Sequence, residues 1–133
     1  DPSVYSTFSY LADILIPVID VQTIAGISSF SQIAASLSIP LMLDEESLEV
    51  VPATADKEKL AKVIDLNDNV VIMKIATNFK KVYQILKERK LLDKTVIVEN
   101  ASMANQRVQR LTEYSADDQL PYFSTALLKK KEA

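Results

Sequence analysis

A single glycine, Gly26, serves all 133 residues, where average usage would supply about nine. That scarcity constrains the backbone more than any other feature of the sequence. Glycine enters left-handed conformations at little cost, so loops that need several such positions in close succession are not available here. Phosphate-binding loops built on closely spaced glycines are excluded. The chain also has no cysteine, histidine or tryptophan. Zinc sites of cysteine and histidine, cysteine nucleophiles, histidine triads and histidine-ligated haem therefore cannot be built from it. Acid–base work would fall to Asp, Glu, Lys, Tyr, Ser or Thr.

The remaining composition suits one domain with its own core: 48% of residues are hydrophobic and 25% charged, both ordinary for a globular protein. The net charge of −3 gives no electrostatic support for binding nucleic acid. Lys129, Lys130 and Lys131 read as a solvated tail. Asp44, Glu45 and Glu46 fall in a loop and read as solvated carboxylates, so no protein-bound metal is expected. No apolar run approaches the roughly 20 residues of a membrane-spanning helix, and the lack of cysteine fits a cytoplasmic location. The opening Asp1-Pro2 leads directly into an amphipathic pattern, as if the chain were entered partway through a longer protein.

Periodicity predicts alternating helices and strands. Val4, Phe8, Leu11 and Leu15 share helical spacing over residues 2–15, with Asp1 as cap and Pro2 in the first turn. Residues 19–24 are β-branched and read as a strand that runs into a turn at Ala25-Gly26. Ser28 or Ser29 then caps a helix bearing Phe30, Ile33, Ala34 and Leu37, which Pro40 ends. A brief strand at 48–51 precedes a helix capped by Asp56 and carrying Leu60, Val63 and Ile64. The run 70–75 reads as a buried strand. Asn78 caps the most amphipathic helix, with Phe79, Val82, Tyr83 and Leu86 in one stripe. Residues 95–99, 107–113 and 122–128 read as three closing strands. Alternation followed by a run of strands predicts an α/β fold, a mixed sheet of five or six strands flanked by helices.

The residues alone give little chemistry. The junction from Ile24 through Gly26 to Ser28 and Ser29 would present backbone N–H groups and hydroxyls at a helix start, suited to a polar ligand. The same serines also serve as plain helix caps. Met73, within a β-branched strand, also suits the core.

Read as strings, several segments resemble one family. The opening DPSVYSTFSYL of residues 1–11, the GISSFS of 26–31, Ile39-Pro40-Leu41, Val51-Pro52-Ala53, Met73-Lys74, Leu91-Leu92-Asp93, the VENA of 98–101 and the LPYFS of 120–124 occur in order along essentially the whole chain. They are similar to segments of precorrin-2 C(20)-methyltransferases, which are tetrapyrrole methylases. The resemblance implies a C-terminal domain spanning 1–133, with an N-terminal domain that lies outside this chain and the active site in the cleft between the two. It implies methyl transfer from S-adenosylmethionine to carbon 20 of precorrin-2 or its cobalt form, usually by a homodimer.

By the same resemblance, Asp1 and Val4, Gly26, Ser28 and Ser29, Met73, and Ala101 with Ser102 would contact the cofactor. Tyr5, Ser6 and Thr7 would line the cleft toward substrate. No residue takes the part of a catalytic base; positioning of the nucleophilic carbon could supply much of the rate. The sequence departs from the family's glycines at Ser38, Ala76, Ser102 and Asn105, and has Ala25 where the family has proline. Either these positions have ordinary dihedrals or the loops differ. Two other readings stay open at this point: a different methylase of the same class, and a non-enzymatic module that binds a nucleotide-like ligand or a partner chain.

Overall fold

The computed structural model describes residues 1–131. Four α-helices, α1 (Phe8–Leu15), α2 (Ser29–Ser36), α3 (Lys57–Leu66) and α4 (Phe79–Glu88), accompany five strands. The strands are β1 (Leu48–Pro52), β2 (Asn69–Met73), β3 (Thr95–Glu99), β4 (Arg107–Arg110) and β5 (Ser124–Lys129), in the spatial order β1-β2-β5-β3-β4. β1 and β2 are parallel, and β5 runs antiparallel to both β2 and β3. β1, β2 and β3 therefore point the same way, and their carboxyl ends share one edge of the mixed α/β sheet.

Register explains which residues are buried. Val70 and Ile72 of β2 pair with Leu128 and Ala126 of β5, and Ala126 pairs onward with Ile97 of β3. Paired residues share a face, and this face meets α3 through Leu60, Val63 and Ile64 and α4 through Phe79, Val82, Ile85 and Leu86. Alternation sends Val71, Leu127 and Val96 to the opposite face, where Ile39 and Pro40, just beyond α2, lie near Val96 and Leu127. The central strands β2 and β5 are thus buried on both faces, as their continuous apolar runs require, while β4 at the edge stays mostly exposed. The expected cap of α3 forms: the Asp56 carboxylate accepts the Lys59 N–H at 2.8 Å. Beyond α4, Arg89 Nε reaches Asp65 of α3 at 2.6 Å and ties the two helices together.

Several expectations are corrected. The first helix begins at Phe8, because Tyr5 has φ 47° and a left-handed residue cannot continue a right-handed helix. Residues 19–24 form no strand; they find no neighbouring strand to complete a ladder and are left irregular. The sheet therefore has five strands. β2 stops at Met73, where Lys74 turns left-handed and Ile75–Asn78 form a short 3-10 helix. Asn78 bonds Thr77 Oγ1 and does not cap α4. The strand expected at 107–113 ends at Arg110, and Leu111–Glu113 form one tight turn. The last strand covers Ser124–Lys129, two residues later than expected at its start. Lys129 and Lys130 are no free tail: Lys129 Nζ donates to Asn69 Oδ1 at 3.2 Å, and Lys130 Nζ donates to the Asp65 carbonyl at 3.2 Å.

The segment from α1 to α2 differs from the rest. α1 buries none of its residues. Tyr10, Val18 and Ile24 are 77%, 73% and 76% exposed, and Ile14, Ile16, Ile19 and Ile27 are exposed beside them. Scattered exposed apolar residues are ordinary, but a run of this extent marks a contact surface.

Candidate functional site

A cavity of about 340 Å³ opens where the parallel strands end, lined by Asp1, Val4, Ile27, Ser28, Ser29, Gln32, Met73, Ala101 and Ser102. Four separate segments build it. Met73 arrives as the last residue of β2. Ala101 and Ser102 follow β3, which ends at Glu99. The start of α2 brings Ser28, Ser29 and Gln32, and the opening turn brings Asp1 and Val4. In open α/β sheets this edge is where ligands bind, because the strand ends diverge and helix N-termini point into the crevice.

Local hydrogen bonds hold the walls. Asp1 accepts the Ser3 N–H at 2.7 Å through Oδ1, bonds the Ser3 hydroxyl, and accepts the Gly26 N–H at 3.1 Å through Oδ2. One carboxylate thus shapes its own turn and pins it to the segment before α2. Gly26 does not line the cavity; it stands behind Asp1. It has no positive φ, and an added Cβ would lie 3.4 Å from the Asp1 Cα. Neither its dihedral nor the space around it demands a glycine here. Ser28 sits at the N-cap of α2 with an extended backbone, yet its side chain makes no capping bond. Its hydroxyl and the first N–H groups of α2 remain at the cavity wall, where a polar ligand group would meet them. On the far side, the Asn100 N–H donates to the Phe123 carbonyl at 2.7 Å, and the Ser102 N–H donates to Gln106 Oε1 at 2.6 Å. These bonds fix a loop in which Asn100 and Ser102 both have positive φ, 51° and 65°.

The structure thus brings together Asp1, Val4, Ser28, Ser29, Met73, Ala101 and Ser102, and leaves Gly26 one layer back. Tyr5, Ser6 and Thr7 do not line the cavity. Ser6 Oγ accepts the Phe8 N–H at 3.2 Å, and Thr7 precedes the first turn of α1. Tyr5 lies at the rim, its ring 5.0 Å from Lys74 Nζ, and partial burial holds its phenol above the usual range. Two further residues line the cavity, Ile27, within the junction already singled out, and Gln32, neither of which the resemblance marks as a cofactor contact. Their signal was available: Gln32 stands one helical turn after Ser28, on the same face.

The lining is apolar at Val4, Ile27, Met73 and Ala101 and neutral polar at Ser28, Ser29, Gln32 and Ser102. Asp1 is its only charged side chain among the described residues. Such a wall can take an apolar or aromatic body and hydrogen-bond a polar group, and its one charge favours a cationic centre over a bare anion. A second cavity of about 390 Å³ includes Lys94, Arg110, Lys129 and Lys131 among its lining. Lys129 closes β5, so this cavity lies toward the opposite ends of the parallel strands. Among the described residues no three carboxylates come together to hold a metal ion. No helix among the described residues is long and apolar enough to cross a membrane.

Parallel strand ends, a helix start and a small-residue loop around one cavity are the arrangement found at ligand sites of open α/β sheets. The chain belongs to the Tetrapyrrole (Corrin/Porphyrin) Methylases, whose family profile matches residues 1–117. It is 30% identical over 132 residues to the cobalt-precorrin-2 C(20)-methyltransferase of Salmonella typhimurium, covering 98% of this chain and 56% of that protein. This chain spans about half the length of the first curated relatives it matches. In fold it matches cobalt precorrin-4 methyltransferase, with a TM-score of 0.78 and 16% identity over 97% of this chain and 60% of that one. It also matches uroporphyrin-III C-methyl transferase from Thermus thermophilus complexed with S-adenyl homocysteine, with a TM-score of 0.69 and 17% identity over 98% and 62% of the two chains.

Proposed function

We propose that this chain is the C-terminal, cofactor-binding domain of a cytoplasmic S-adenosylmethionine-dependent enzyme that methylates carbon 20 of precorrin-2 or its cobalt form. The observation that carries the reading is the convergence of residues 1–4, 27–32, 73 and 101–102 on one cavity at the strand ends. Its lining fits the cofactor's chemistry. Val4, Ile27, Met73 and Ala101 offer apolar surface for an adenosine body. The Ser28 and Ser29 hydroxyls and the N–H groups at the start of α2 suit the carboxylate of its amino-acid part. Asp1 suits its cationic centres. When bound, S-adenosylmethionine supplies an electrophilic methyl group on a sulfonium. The chain's own residues then bind, orient and shield, and alignment of the reacting carbon with the methyl group supplies much of the rate.

The substrate assignment follows the whole-chain resemblance to the Salmonella typhimurium C(20) enzyme, where the two solved folds, at 16% and 17% identity, speak to architecture alone. The apolar surface of α1 and residues 16–27 supports a partner: an N-terminal domain completing the cleft, with homodimerisation of the longer protein.

The test is methyl transfer by the longer protein that carries this chain, supplied with isotopically labelled S-adenosylmethionine and a panel of reduced tetrapyrroles. One labelled methyl at carbon 20 of precorrin-2 or its cobalt form is expected. Transfer at another ring position reassigns the enzyme within the family, and no transfer to any reduced tetrapyrrole overturns the reading. Ala101→Phe, which fills the cavity from a loop outside the core, should sharply weaken S-adenosylhomocysteine binding in calorimetry while leaving the fold intact.

A further inference from the structure

Two strained residues meet at the rim of the cavity. Lys74 follows Met73, a wall residue, and has φ 56° and ψ 35°. Tyr5 follows Val4, another wall residue, and has φ 47°. Both are L-residues in the left-handed region, which side chains other than glycine, asparagine and aspartate rarely occupy. They come from segments about 70 residues apart in sequence, yet the Lys74 ammonium sits 5.0 Å from the centroid of the Tyr5 ring. Strain of this kind persists where the surrounding structure demands it, and it concentrates at ligand sites.

The Lys74 backbone and side chain do separate things. The backbone ends β2 and starts a 3-10 turn, its carbonyl accepting the Thr77 hydroxyl at 3.4 Å. The side chain takes no part in that turn. No carboxylate lies within ion-pair distance of Nζ among the described residues. The ammonium is exposed, and a half-exposed aromatic ring steadies it through a cation–π contact. This cation, set against the Tyr5 ring, sits beside a cavity whose own lining carries no positive side chain among the described residues.

We propose that Lys74 is a substrate-positioning residue: its ammonium, steadied by Tyr5, pairs with a carboxylate on the periphery of the tetrapyrrole and sets the ring's orientation over the cavity. This rests on the reading of the site as a tetrapyrrole methylase. Tetrapyrroles of this type carry acetate and propionate side chains around an apolar ring, so one fixed cation outside the cavity can select orientation without entering it. Tyr5 acts through Lys74, which gives this residue a part that its position outside the cavity wall leaves open.

The experiment uses the longer protein and three forms: wild type, Lys74→Met and Lys74→Arg. Methionine keeps an unbranched stem against Tyr5 and removes the charge; arginine keeps the charge. Binding is read with uroporphyrin, a stable polycarboxylate tetrapyrrole, by fluorescence titration at low and high salt. Turnover is read separately with the methyl-transfer substrate. Lys74→Met should weaken uroporphyrin binding and raise KM for the tetrapyrrole by about tenfold at low salt, an effect typical of losing one directional ion pair. The difference should shrink at high salt. S-adenosylhomocysteine affinity should stay within about twofold of wild type, the usual scatter for a site left untouched, and Lys74→Arg should recover most of the loss. Equal uroporphyrin affinity in wild type and Lys74→Met overturns the assignment, whatever the activity. A parallel loss of S-adenosylhomocysteine affinity also overturns it, because it would mark a merely structural residue. If uroporphyrin binding falls as expected but no methyl is transferred to any tetrapyrrole, the pairing of Lys74 with a tetrapyrrole carboxylate stands and the methyltransferase reading fails.

Discussion

Replacing two side-chain-bearing residues with glycine should stabilise this protein. α2 and α4 end in the same way. After α2, the Ser38 N–H donates to the Ala35 carbonyl at 3.1 Å and the Ile39 N–H to the Ala34 carbonyl at 2.9 Å. After α4, the Lys90 N–H donates to the Lys87 carbonyl at 3.1 Å and the Leu91 N–H to the Leu86 carbonyl at 2.9 Å. These are two Schellman motifs, whose pivot residue is left-handed and is usually glycine. Here the pivots are Ser38 at φ 54° and Lys90 at φ 57°. A left-handed L-residue costs about 1–2 kcal/mol. Glycine removes that cost but adds about 0.5–1 kcal/mol of unfolded-state freedom. The net gain is about 0.5–1 kcal/mol per site. The pivots follow different helices and share no partner in these motifs, so Ser38→Gly/Lys90→Gly should gain about 1–2 kcal/mol. Urea unfolding followed by circular dichroism should show a higher midpoint with an unchanged slope. Gly26→Ala is the control. Its backbone needs no glycine dihedral and its new methyl would meet Asp1 at ordinary contact distance, so stability should move by less than about 0.5 kcal/mol. If both pivot substitutions destabilise while Gly26→Ala is the costly one, the conformational argument is wrong.

Two pH predictions follow from the ionisable groups. Arg89 beside Asp65, the Ser47 N–H on Asp68, and the Leu43 N–H with the Asn69 amide on Glu46 each hold a carboxyl below its ordinary pKa. A depressed folded pKa contributes stability above the unfolded value of about 4, and that contribution is lost as pH falls through the folded value. Thermal midpoints should therefore be level near neutrality and decline below about pH 4, with Asp68→Asn showing a shallower decline than wild type. At the other extreme, burial and then the Glu99 carboxylate hold the Tyr114 phenol well above its ordinary value. The folded protein then keeps a proton that the unfolded chain releases near pH 10, so stability should fall as pH rises beyond about 10. Absorbance titration should show one tyrosine resisting ionisation until unfolding. Tyr114→Phe should remove that step and cost about 1–3 kcal/mol, because the mostly buried Glu99 loses a 2.5 Å hydrogen bond.

The sequence revealed most of the fold where periodicity and burial coincide. The stripe of α4 and the apolar run of β2 were legible because their own residues carry the pattern and the core receives both. The failures share one cause. Residues 19–24 have strand-like composition, but a strand exists only through a neighbour, and no local pattern reports whether one is there. The first helix starts later than its periodicity predicts because nothing in the letters shows that Tyr5 is left-handed. At the site, strings alone picked out residues that the fold then gathers from four segments. Ile27 and Gln32 escaped because their part depends on which way α2 faces. Lys74 escaped for a further reason: its interest lies in a contact with Tyr5 across the chain.

The scarcity of glycine has a structural counterpart at the site itself. Of the seven non-glycine residues with positive φ among the described residues, Ser102 lines the cavity and Tyr5, Lys74 and Asn100 each adjoin a lining residue in sequence, while Ser38 and Lys90 end helices and Asp44 lies in a loop. β2 and β3 leave the sheet by the same device. Each ends, at Met73 or Glu99, and the next residue, Lys74 or Asn100, turns left-handed. The turn carries each chain abruptly away from the strand direction and leaves the strand end open, which is what a ligand at this edge requires. Glycine would make both turns with less strain, but with more conformations open to it. Side chains with a Cβ narrow those conformations, and at Lys74 the side chain also projects a cation over the rim. The side chains that cost stability at these positions thus narrow the conformations of the cavity's surroundings, so Lys74→Gly should raise stability and impair substrate recognition together, a trade that the two helix-end pivots, remote from the cavity lining, should not show.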